Sequence, residues 1–176
     1  MGKSGEKWLK MDATMIFRGR FSRNIDPKGR LILPPEIREA MASQTMPDNQ
    51  SQTFGDVSKD SFILTTYDKC LVAYSLKDWM ELEEKFMRIP NPSPRVRAFR
   101  RLVIGGAEIQ RPDSQGRILL SPDHRAYACL DREATVLGQF ARFEIWNPSM
   151  LQRATAQENI EGVSDELAAS GINFEL

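Results

Sequence analysis

Residues 24–40 read NIDPKGRLILPPEIREA, and residues 111–127 read RPDSQGRILLSPDHRAY. Aligned over 26–38 and 113–125, they share six identities in thirteen positions: Asp26/Asp113, Gly29/Gly116, Arg30/Arg117, Leu33/Leu120, Pro35/Pro122 and Arg38/Arg125. Leu31/Ile118, Ile32/Leu119 and Glu36/Asp123 are conservative pairs. A chain that repeats itself is built from one unit used twice, so the fold is read from the unit. The repeat continues in TYDKCLVAYSLKDW (66–79) and GQFARFEIWNPSML (138–151), where Tyr74 corresponds to Trp146 and Leu71 to Phe143. The first part is offset by 87 residues and the second by 72, which puts fifteen extra residues between Arg38 and Thr66. MASQTMPDNQSQTFGDVSKDS (41–61) fills that interval; it is polar and rich in turn formers, and reads as an inserted loop at about 43–60.

Each copy reads as strand, tight turn, strand, short helix, loop, strand, turn, strand. In Asp-Pro-Lys-Gly (26–29), Asp stands first, Pro second and Gly fourth, as a type I turn prefers. Positive φ at Gly29 closes such a turn into a three-residue hairpin connection, and Asp113-Ser114-Gln115-Gly116 repeats the chemistry without the proline. Pro35 and Pro122 fit the first turn of a helix, with Ser121 as N-cap in the second copy. Between the copies, Trp79, Leu82 and Phe86 form one helical stripe, and Val96, Phe99 and Val103 another that ends at Gly105-Gly106; both stripes read as core. The resulting organisation is an N-terminal extension (1–14), a first repeat (15–77), a helical linker (78–106), a second repeat (107–150) and an acidic helix or tail (151–176) that orders on assembly.

With 41% hydrophobic and 27% charged residues the chain has the composition of a soluble globular protein. No apolar run is long enough for a membrane helix, and the first residues lack the apolar block of a secretory signal. Cys70 and Cys129 form no CxxC pair and read as small hydrophobes of a reducing, cytoplasmic interior. Net charge is zero, yet five basic residues and one acid occupy 18–30, six basic residues and no acid occupy 85–101, and five acids and no base occupy 154–176. Such segregation suits a polyanionic partner.

His124 is the only histidine, and its place at the start of a short helix reads as a surface or capping residue. No Walker loop, dinucleotide fingerprint, HExxH or zinc-ribbon spacing occurs, so no metal, cofactor or small-molecule substrate is expected and nothing argues for an enzyme. What remains is a basic residue directly after each turn glycine: Arg30 and Arg117, with Lys28 at the first turn and Arg20 and Arg23 on the strand before it. A β-ribbon fits the DNA major groove, and the arginine fork matches guanine edges and phosphates. These five residues are the candidate DNA-binding set, shaped by Gly29 and Gly116.

The strings FRGRFSRNIDPKGRLILP, RRLVIGGAE, DSQGRILLSP and VLGQFARFEIW resemble, in order and spacing, the MraZ family of the SpoVT/AbrB-like superfamily, from about Met15 to Leu151. The resemblance implies an α+β fold in which two SpoVT/AbrB-type halves interlock as swapped hairpins into a double-split β-barrel core with flanking helices. It implies sequence-specific binding, at the nucleoid, to direct repeats in the promoter of the family's division and cell-wall gene cluster by ring-shaped homo-oligomers. The basic residues carried over are Lys28, Arg30 and Arg117; Gln115 stands where the second turn would hold a lysine-type charge. Two other readings stay open. One is an AbrB-type antitoxin gripping a toxin with its acidic tail; the other is a structural ring-former without sequence-specific DNA binding.

Overall fold

The computed structural model describes residues 17–44, 54, 55 and 57–172. The 1–14 extension and residues 45–53 and 56 of the expected insertion lie outside the described residues. The strands are β1 (Arg20–Asn24), β2 (Arg30–Ile32), β3 (Phe62–Tyr67), β4 (Cys70–Ser75), β5 (Glu108–Gln110), β6 (Arg117–Leu119), β7 (Glu133–Gln139) and β8 (Arg142–Trp146). The helices are α1 (Pro35–Ala42), α2 (Leu76–Met87), α3 (Pro94–Val103), α4 (Pro122–Tyr127), α5 (Pro148–Ala154) and α6 (Val163–Ala169).

Six strands form one antiparallel sheet in the order β1-β7-β8-β4-β3-β5, and β2 and β6 form a separate two-stranded ribbon. Exchanging the two repeats, so that β1–β4 become β5–β8, maps this order onto itself. The centre is the β4–β8 pair, with Leu71 opposite Ile145 and Ala73 opposite Phe143. The first strand of each repeat leaves its own unit: β1 pairs with β7, and β5 pairs with β3. This is the expected exchange of strands between halves. A closed barrel is not formed among the described residues; β1 and β5 are the edges of the large sheet, and the ribbon packs on one face of it.

The twin hairpin ribbons expected after each turn are also corrected. Beyond the first turn, β1 and β2 share only the Ile25–Leu31 bridge before they part to β7 and β6. There is therefore one ribbon, made of one strand from each repeat, and it needs both repeats to exist.

Burial explains the layering. Phe62, Leu64, Leu71, Ala73, Phe143 and Ile145 on one face of the sheet meet Leu31, Leu33, Ile37, Ile118 and Leu120 from the ribbon and α1. Phe143 takes Phe17 and Phe62 edge-on, with centroids 5.7 and 5.2 Å away. On the other face Ile63 packs with Leu76, Trp79 and Val103 under α2 and α3, while Cys70, Val72, Trp146 and Leu151 pack under α5. Each such large side chain contributes roughly 1.5–3 kcal/mol through burial. The α3 helix is further tied down where Thr66 Oγ1 donates to Leu102 O at 2.8 Å and Thr65 Oγ1 to Val103 O. Phe99 departs from the expected core stripe: it is 37% exposed and packs edge-on against Tyr67.

Two further expectations are overturned. His124, the third residue of α4, is 2% exposed; its Nε2–H donates to Gly106 O at 2.7 Å. Cys129 is exposed, at a left-handed φ of +52° just after α4, while Cys70 is buried and its burial pushes the thiol well above the ordinary range. The acidic C-terminal segment forms α5, a 3-10 turn (Gln157–Asn159) and α6, and α6 has no buried residue.

Candidate nucleic-acid interface

The two turns have nearly the same geometry. In the first, Asp26 Oδ1 accepts from the amides of Lys28 and Arg30, both at 2.9 Å, and Oδ2 accepts from Arg30 Nε at 2.7 Å. In the second, Asp113 Oδ1 accepts from the amides of Gln115 and Arg117 at 2.9 and 3.0 Å, and Oδ2 from Arg117 Nε at 2.6 Å. Gly29 and Gly116 have φ of +81° and +76°, a region where a Cβ is strained. The Arg30 amide, with the Arg30 guanidinium beside it, holds the Asp26 carboxyl below its ordinary value. The Arg117 amide and guanidinium do the same for Asp113. The shared Asp-x-x-Gly-Arg pattern is thus a self-closing loop: the carboxylate binds backbone on one oxygen and the arginine on the other.

That closure decides how the arginines present themselves. Nε is engaged, no described residue accepts from the Nη atoms, and the side chains are 36% (Arg30) and 32% (Arg117) exposed. Each guanidinium is pre-aimed, with its outer edge available for a bidentate contact. In the antiparallel ribbon Arg30 is opposite Leu119 and Arg117 opposite Ile32. Leu31 and Ile118 point into the core, so Arg30, Ile32, Arg117 and Leu119 share the outer face. Ile32 is 51% and Leu119 58% exposed. The two arginines are diagonal neighbours, roughly 7–8 Å apart, and the turns sit at the two ends of the ribbon. This one face offers two guanidinium forks and two apolar side chains, a combination that can read guanine edges and thymine methyl groups.

The backs of the turns are crossed by the opposite repeat. Gly29 O accepts from Leu120 N and Gly116 O accepts from Leu33 N, both at 2.9 Å. A Cβ on Gly29 would lie 3.1 Å from Arg125 Nε, and one on Gly116 would lie 2.7 Å from Arg38 Cδ and Nη1. Arg38 and Arg125, identities in the repeat, therefore brace the other repeat's turn.

The remaining expected residues are spread out. Lys28 is exposed at the first turn. Arg23 is half-buried, with its Cζ 5.8 Å from the Phe21 ring centre, and Nη1 donates to Ser22 O at 2.8 Å. Arg20, three residues earlier and exposed, projects from the opposite face of β1, about 20 Å of extended chain from the turn. The sequence reading missed Ile32, Leu119, Arg38 and Arg125. Strand alternation could have marked the first two as outward-facing, and the repeat identities the other two.

Among the described residues no group of three or more His, Cys, Asp or Glu is placed to hold a metal ion, and no helix is long and apolar enough to cross a membrane. The family model "MraZ protein, putative antitoxin-like" matches residues 16–102 and again 103–169. A protein named transcriptional regulator MraZ from Nitratidesulfovibrio vulgaris strain Hildenborough is 45% identical over 160 residues, covering 91% of this chain and 99% of that protein. One of the same name from Oleidesulfovibrio alaskensis is 46% identical over 162 residues, covering 92% and 100%. Another, from Acetivibrio thermocellus, is 34% identical, covering 89% and 100%.

Proposed function

The chain belongs to the MraZ family, and on that premise we propose that it is a transcriptional regulator that binds double-stranded DNA with the outer face of the β2–β6 ribbon and the turns at its ends. Arg30 and Arg117 read bases, Lys28 and Arg23 bind phosphate, and Arg20 adds charge along the approach. The observation that carries this reading is the pair of self-closed Asp-x-x-Gly-Arg loops presenting guanidinium edges on one exposed ribbon. The DNA is a set of direct repeats in the promoter of its own division and cell-wall gene cluster. Subunits of a ring-shaped homo-oligomer in the cytoplasm, at the nucleoid, engage successive repeats. Exposed Met87, Ile89, Leu102 and Phe140 supply apolar surface for subunit contacts. One ribbon per subunit binds weakly, and tethering multiplies affinity.

The test is binding to promoter duplexes with one to four repeats, and with five-base-pair insertions between them. Affinity should climb steeply with repeat number and fall on insertion, because half a helical turn rotates the next site away. Equal binding to one site and to the full array would refute the reading. The acidic 154–172 stretch, with its unburied α6, favours a second reading, an antitoxin tail; stoichiometric co-purification of a small protein would select it.

A further inference from the structure

The two turns are so alike in geometry that their surroundings form a controlled comparison, and the surroundings differ in charge. The first turn carries Lys28 at its tip; the second carries Gln115. Behind Gly29 stands Arg125, whose guanidinium has no acceptor among the described residues and whose Nε is buried without a partner. Behind Gly116 stands Arg38, whose Nε is likewise buried without a partner but whose Nη2 is 3.3 Å from Asp60 Oδ2. Asp60 is itself positioned by Ser58 Oγ, which donates to its other oxygen at 2.7 Å. Both serine and aspartate belong to the stretch that the first repeat has and the second lacks, so Arg125 has no counterpart of Asp60. The cleft beside Arg125 is lined by the acids Asp26, Asp131 and Glu133 together with Arg132, but none of the three acids forms an ion pair with the Arg125 guanidinium within 4 Å.

We infer that the two turns are unequal DNA contacts: the 26–30 turn, which carries Lys28 and is backed by Arg125 of the other repeat, an arginine without a direct ion pair, is the principal phosphate-gripping end of the ribbon, and Asp60 silences the equivalent end at 113–117. This rests on the DNA-binding reading above and assigns roles to two residues outside the turns. Arg125 is a positioning and phosphate-attracting residue acting across the repeat boundary. Asp60 is a built-in neutraliser of its equivalent, Arg38. The chemistry sought is a phosphodiester oxygen. At the first turn it meets Lys28 and the field of Arg125, beside the base-reading edge of Arg30; at the second, beside the base-reading edge of Arg117, Gln115 offers no charge and Arg38 is already paired.

The experiment measures fluorescence anisotropy of a labelled duplex from upstream of the protein's own gene, with a scrambled duplex beside it, at several salt concentrations on the full chain. Melting curves check each variant. Arg30→Ala should weaken promoter binding about tenfold more than Arg117→Ala, because Lys28 and Arg125 hold the first turn on the phosphates and seat its base contact, worth roughly 1–3 kcal/mol, while the neutralised second turn seats its own only loosely. Arg125→Met, which keeps the packing stem behind Gly29, should lower the slope of log affinity against log salt by about one. Arg38→Met should leave that slope unchanged, and Asp60→Asn should raise it by about one and tighten binding. Arg125→Lys should restore the slope lost in Arg125→Met. Equal losses for Arg30→Ala and Arg117→Ala, with Asp60→Asn silent, would overturn the inequality while leaving the DNA reading intact. A wild-type protein that binds the promoter no better than the scrambled duplex removes the DNA reading itself.

Discussion

Gly29→Ala isolates the contribution of the turn backbone. The glycine sits at φ +81°, where an L-residue is disfavoured by roughly 1–2 kcal/mol. Its new Cβ would lie 3.1 Å from Arg125 Nε, 3.2 Å from Arg125 Cζ and 3.2 Å from the Leu120 carbonyl oxygen. The arginine can shift by a few tenths of an ångström, but Leu120 cannot, because its amide donates to Gly29 O at 2.9 Å and pins the two backbones together. The turn must therefore open or β6 must move, and either one re-aims Arg30. For a chain of 176 residues, 1–2 kcal/mol corresponds to a fall in Tm of about 2–8 °C. Scanning calorimetry should show that fall, and a larger one for Gly29→Val, whose branched side chain is worse at positive φ. Gly29→Asn, which tolerates the left-handed region, should lose less. Anisotropy on the promoter duplex should show specific binding lost in the Val variant. If Gly29→Ala melts within about 1 °C of wild type, the pinned-turn account is wrong.

Arg30→Ala should behave differently, leaving the melt unchanged while specific binding fails, because Asp26 Oδ1 keeps its bonds to the two amides without the guanidinium; a lower Tm would show that Arg30 is a structural strut. His124→Ala should destabilise by about 1–3 kcal/mol, since it removes a buried side chain and strips the half-buried Gly106 carbonyl of its donor; a melt matching wild type would place a replacement partner there. Asp26 and Asp113 titrate below 3.8 in the folded protein, so the stabilisation they give is fully present above pH 3.8. It declines as pH falls below the ordinary carboxyl value and is gone once pH has passed below the lower folded-state values; a carboxyl NMR midpoint at or above 3.8 for either would contradict the hydrogen bonds assigned to it.

What could be read from the residues was local. The turns came out as expected because Asp, Gly and the following amides lie within five residues of one another, and Ser121 caps α4 for the same reason. The exchange of first strands was implied only by the family resemblance, since nothing in Arg20 or Leu137 announces that they pair. The hairpin ribbon failed because a turn dictates only its own closing pair; what lies beyond is settled by which strand offers the better-buried partner. Leu31 gains Ile118 there, not a residue of β1. His124 was misplaced because its burial depends on Gly106, eighteen positions away. Arg38 and Arg125 were visible as identities, yet their bracing role crosses between repeats and leaves no local trace.

The interleaving of the repeats also sets a timetable for synthesis. Arg20 finds its partner in Leu137 and Arg30 in Leu119, so the first repeat leaves the ribosome with its opening strands unmatched. At ~5–20 residues per second, the 117 residues between Arg20 and Leu137 take roughly 6–23 s and the 89 between Arg30 and Leu119 roughly 4–18 s. Throughout that interval β1 and β2 present bare edges to whatever emerges nearby, including the second repeat of a neighbouring nascent chain on the same message. Such a chain carries the same β6 and β7, and pairing with them would tie two polypeptides together while both are still being made.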